Sequence, residues 1–80
     1  MMTEEITNSF LTKVDLQAEI NRLQHGNIRR SIQEWSLIIG THFGHLFNAV
    51  RRNDHAEIEK EILHITAPLL EMYQENVNAS

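Results

Sequence analysis

The chain has no cysteine, which excludes disulfides and thiolate zinc sites. It has one proline and three glycines in eighty residues, too little turn material for a fold of many short strands, and a few long helices are the expectation. No apolar run approaches the ~18 residues of a membrane span. The acidic start, with Glu4 and Glu5, differs from the basic start of a signal peptide, so the cytoplasm is the expected compartment and no membrane partner is expected. Basic residues are also few: seven Lys and Arg against eleven Asp and Glu give a net charge of −4. That argues against gripping a phosphate backbone and makes a nucleic-acid partner unlikely on charge grounds.

A domain of this length buries only about 60–65% of the surface of its unfolded chain. With disulfides excluded, self-association and a histidine/carboxylate metal site remain as ways to support so small a core. The apolar pattern divides into three helices. Residues 1–8 read as an arm or a frayed helix start, 9–75 as one helical domain and 76–80 as a tail. From Ser9 the apolar positions Phe10, Leu11, Val14, Ala18 and Leu23 make a helical stripe. The step His25-Gly26-Asn27 ends it, with Gly26 suited to the left-handed position after a helix. Ile28, Ile32, Trp35, Ile39, His42, Leu46 and Ala49 then follow at alternating spacings of four and three, a seam that faces another helix. Leu37, Ile38, Phe43, Phe47 and Val50 add apolar surface on its flanks, and Gly40 and Gly44 suit a close crossing or leave room for a ligand. Arg51-Arg52-Asn53 closes this helix, and Asp54 with Glu57 opens the third in the manner of a capping box. There the stripe is Ile58, Ile62, Ile65, Leu69 and Met72, with Pro68 expected to kink the helix. The fold class is therefore all-α, an antiparallel bundle of about three helices. Apolar residues on more than one face of the second helix predict completion of that bundle by a homo-oligomer, dimer or tetramer. The large apolar residues Trp35, Ile39, Phe43, Leu46, Phe47, Ile62, Ile65 and Leu69 are the expected core.

Four residues stand out chemically. His42 and His45 are three apart on the second helix, and Glu61 and His64 are three apart on the third. Counted from the Asn53-Asp54 turn, His45 lies about eight residues before and Glu61 about seven after, so at ~1.5 Å per residue the pairs come level. Facing helices that each present an i, i+3 pair of ligands are how metal sites are built inside four-helix bundles. A histidine in an apolar seam is more often a hydrogen-bonded core residue, and the same four side chains can satisfy one another without a metal. His25 and His55, at helix ends, read as solvated or capping; Arg29, Arg30, Arg51 and Arg52 read as surface charge.

The run WSLIIGTHFGHLFNAVRRNDHAEIEKEILHITAPLL, Trp35 to Leu70, resembles the core of the MazG-like all-α nucleoside triphosphate pyrophosphohydrolases. Trp35, Gly44, Ala49, the RRND turn and Glu61 fall without a gap into that family's register of a tryptophan, the signature EExGE, an alanine, a turn and the signature ExxD. The resemblance implies a helical bundle that cleaves a nucleotide between its α and β phosphates with magnesium. The chain departs from it at the acids themselves. Thr41, His42 and His45 stand in place of the acids of EExGE, His64 in place of the Asp of ExxD, and only Glu61 keeps an acid among the four metal positions. Magnesium requires oxygen ligands; three imidazoles and one carboxylate suit zinc, manganese, iron or nickel.

Three readings follow. In the first, a degenerate relative acts as a binding or regulatory protein, as small phage or mobile-element proteins do, with weak or no magnesium-dependent nucleotide hydrolysis and a nucleotide or protein partner. In the second, a nucleotide pyrophosphohydrolase works through a histidine-rich transition-metal site formed by His42, His45, Glu61 and His64. In the third, the chain is a helical oligomeric adaptor without a ligand. No catalytic or substrate-binding residue follows from the sequence.

Overall fold

The computed structural model describes residues 2–26 and 29–79, which form three helices, α1 (Met2–His25), α2 (Ile32–Arg51) and α3 (His55–Ala79). Among the described residues no helix is long and apolar enough to cross a membrane.

Helix α1 begins at Met2, so residues 2–8, read from the sequence as an arm or a frayed helix start, are helical. Glu4 and Glu5 lie in its first turn, where carboxylates meet the positive end of the helix dipole. Gly26 follows the last turn with φ 77°, the left-handed conformation expected of it. Ile28 and Asn27, which the sequence reading placed in the seam and the turn, lie outside the described residues.

Helix α2 starts at a capping box that the seam pattern alone does not reveal. Ser31 Oγ accepts from the Glu34 N–H at 3.1 Å, and the Glu34 carboxylate accepts from the Ser31 N–H at 3.1 Å. Two donors that the first turn would leave unpaired are thereby satisfied. The same bond from the Ser31 backbone, followed by that from its hydroxyl, holds the Glu34 carboxyl below the usual carboxylate range.

The far end of α2 fixes the hairpin. Asn53 takes a left-handed conformation, φ 55°. The Asp54 N–H donates to the Ala49 carbonyl and the Asn53 N–H to the Val50 carbonyl, each at 3.0 Å, the paired closure of a Schellman motif. Asp54 then opens α3: its Oδ1 accepts from the Glu57 N–H at 3.2 Å. The reciprocal half of a capping box is not made, because the Asp54 N–H is already spent on Ala49. So short a turn makes α2 and α3 antiparallel neighbours.

Helix α3 is central. Both α2 and α1 pack against it, and among the described residues α1 and α2 do not pack against each other. Ion pairs order α1 along α3: Lys13 with Glu59 at 2.8 Å and Arg22 with Glu71, while Arg29 beyond the helix meets Glu75 at 2.7 Å. Residue numbers rise together in this series, so α1 runs parallel to α3. The helix passes through Pro68, which is buried. Ile65 and Ala67 beside it are buried too, although proline gives the His64 carbonyl no hydrogen bond. The helix continues to Ala79, into the segment 76–80 read from the sequence as a tail.

Besides Pro68, the buried apolar residues among those described are Val14, Ala18, Ile39, Ala49, Ile65 and Ala67. Half of these are alanines, so helices approach closely but little apolar volume is enclosed. Of the expected core, Ile39 and Ile65 are buried and Trp35, Leu46 and Ile62 half-buried. Phe43, Phe47 and Leu69 are exposed on the single chain, because they lie on faces of α2 and α3 turned away from the neighbouring helices.

Candidate metal centre

Periodicity puts His42 on the inward seam of α2 and His45 one turn further, at the edge of that seam. On α3, Glu61 precedes the buried Ile65 by one turn and points to the same side. Glu61 is the buried charged residue of the described chain, 5% exposed. A buried carboxylate is costly unless paired, and its pairing comes from imidazoles. His42 Nδ1 lies 2.9 Å from Glu61 Oε2, a hydrogen bond. His45 Nδ1 lies 3.8 Å and His64 Nδ1 4.0 Å from the other oxygen, Oε1. Three imidazoles thus turn the same ring nitrogen toward one carboxylate.

The rings also meet edge to face. The His42 centroid is 5.6 Å from that of His45 and 5.0 Å from that of His64, at interplanar angles of 82° and 70°. Burial, reinforced by the neighbouring His42, pushes the His64 imidazole below its ordinary value of 6.5; Glu61 pulls it the other way, and smaller effects of Lys60 and Glu57 oppose one another. His64 is therefore neutral at pH 7 and keeps a lone pair.

His42, His45 and Glu61 each offer a ligand atom, and these atoms lie within 4.8 Å of one another. Tetrahedral zinc with bonds of ~2.0–2.1 Å holds its ligands ~3.3 Å apart, so a contraction of at most about 1.5 Å at the widest pair would bring these three to that spacing. This group could hold a metal ion. His64 stands beside it, outside the mutually close set, at the place where the cluster opens into a cleft. That cleft, about 320 Å³, lies between α1 and α2 above α3 and is lined among others by Ala18, Trp35, Ile38, His42, His64 and Pro68. On its opposite side the cluster opens through His45, whose side chain is 56% exposed.

All four residues singled out in the sequence are therefore brought together, three as a ligand-competent group and the fourth in contact with it. The sequence reading missed the mouth of the cleft. Arg30 lies 5.2 Å over the Trp35 ring, a cation–π contact, whereas from sequence it read as surface charge.

Comparison of the chain with protein-family models, curated proteins and solved structures finds no match.

Proposed function

We propose that this chain is a binding protein for a divalent transition metal, held by His42, His45 and Glu61 with His64 as the fourth group. The observation that carries the reading is the convergence of two imidazole nitrogens and a buried carboxylate within 4.8 Å. Two imidazoles to one carboxylate suit zinc, iron or nickel, and manganese less well, whereas magnesium takes an all-oxygen set that imidazoles do not supply. Two imidazoles and a carboxylate leave a tetrahedral metal one position for His64 or an outside ligand. A partner that donates a ligand atom would then sense whether the metal is present, which is a binding or regulatory role in the sense expected from the sequence.

A second reading, nucleotide pyrophosphohydrolysis through a transition metal, is supported by one observation: the cleft that reaches His42 and His64 carries Arg30 over Trp35 at its mouth. A cation and an aromatic face are groups that recognise a phosphate and a base.

Elemental analysis of protein purified without a histidine tag tests the first reading. Close to one zinc, iron, nickel or manganese per chain, falling sharply in the His42→Ala variant, is the expected result. Protein that carries no transition metal and gains none on dialysis against zinc overturns it. Activity against a nucleoside triphosphate panel that appears with manganese or zinc would favour the second reading.

A further inference from the structure

Helix α2 carries two apolar seams. The inner one faces α3. The outer one runs Leu37, Gly40, Gly44, Phe47 at spacings of three, four and three, with Phe43 and Val50 beside it. Residues at these spacings share a helix face. Nothing among the described residues covers that face: Leu37 is 74% and Phe47 66% exposed. A Cβ placed on Gly40 or Gly44 meets no atom within 4 Å. The Phe43 and Phe47 rings lie side by side, centroids 6.1 Å apart, and form a ridge next to the glycines.

Surface area says how much cover is needed. The 9.3 kDa chain exposes 6015 Å², whereas a compact monomer of that mass exposes roughly 5,000 Å². The excess, on the order of 1,000 Å², is close to the ~800 Å² that each partner contributes to a standard interface.

Charge says what kind of partner fits. From Trp35 to Val50 the sequence contains no Asp, Glu, Lys or Arg. A face without charge gives an oppositely charged partner nothing to recognise, and it meets an identical face without like-charge repulsion. We infer that a second copy of this chain covers the outer face of α2, so that α2 packs on α2 about a two-fold axis. In such an isologous contact the Phe43–Phe47 ridge of one protomer fits the groove that Gly40 and Gly44 leave in its partner. The inference uses residues other than the metal cluster and stands or falls separately from it.

Sedimentation velocity at micromolar concentration tests it. The wild-type chain runs as a species of twice 9.3 kDa, and Phe47→Glu converts it to monomer. A wild-type monomer, or a dimer that Phe47→Glu leaves intact, overturns the inference. Should Phe47→Glu unfold, Gly44→Leu decides. A side chain at this position meets nothing within one protomer, so the monomer still folds, but it fills the groove that takes the partner's ridge and the dimer is lost. A Gly44→Leu chain that still sediments as a dimer overturns the proposed face.

Discussion

Replacing Glu61 separates a carboxylate that organises the cluster from one that is merely tolerated. In Glu61→Ala, measured in chelator, two losses add. The half-buried His42 Nδ1–H loses its acceptor at 2.9 Å, about 1–3 kcal/mol for a donor left unpaired. One buried methylene is also lost, about 0.8 kcal/mol. The sum is about 2–4 kcal/mol. In a domain of this size each kcal/mol moves the melting temperature by about 4–8 °C, so a fall of about 8–30 °C is expected. Glu61→Gln keeps the shape and an acceptor oxygen for His42, and relieves the burial of a charge; it should stay within about 1 kcal/mol of wild type. Urea denaturation followed by circular dichroism measures both. The reasoning fails if Glu61→Ala costs less than about 0.5 kcal/mol, because the carboxylate would then cost in desolvation as much as its imidazole partners return.

Three further outcomes follow from the same geometry. In metal-free protein the His64 imidazole titrates below 6.5, since burial and His42 disfavour its proton. The unfolded chain then binds the proton more readily, and stability present above pH 6.5 is lost as pH falls through that value toward the folded pKa; an NMR titration that places His64 at or above 6.5 would contradict this. Ser31→Ala removes the acceptor of the Glu34 N–H and should cost about 1 kcal/mol, read as a lower urea midpoint, with no change refuting the role of the cap. Hydrolysis of standard nucleoside triphosphates with magnesium alone should be weak or absent, because only Glu61 among the four cluster residues offers oxygen to that ion; robust pyrophosphate release would show otherwise.

The parts of this structure legible in the sequence are those set by local spacing. The alternating four-three seam of α2 and the Asp54 cap locate the hairpin, and counting residues from its turn brings His42 and Glu61 level. Other features depend on chain partners that no local pattern names. The stripe Phe10, Val14, Ala18 says that α1 is helical but not that it rests on α3 alone. That placement is held by pairs such as Lys13 with Glu59 and Arg22 with Glu71, far apart in sequence. Phe43 and Phe47 are large and apolar, and composition places them inside. Helical phase puts them on the outer side of α2, where one protomer has nothing to cover them. The choice between arm and helix for residues 2–8 was not legible because Ile6 is the one large aliphatic residue between Thr3 and Ser9, too little to show a period. His64 differs from its cluster partners for a similar reason. Three residues past Glu61 it is turned some 60° around the helix, enough to aim it at the cleft instead of the centre of the group.

The central claim is that His42, His45 and Glu61 bind a transition metal at one site, and titration of metal-free, untagged protein with cobalt(II) tests it most directly. Cobalt takes the nitrogen and oxygen ligands that suit zinc and reports its geometry through visible absorption. The account predicts an absorption band characteristic of four- or five-coordinate cobalt that saturates at one ion per chain, is displaced by zinc, and disappears in His42→Ala. A spectrum that remains that of the hydrated ion throughout the titration would contradict it.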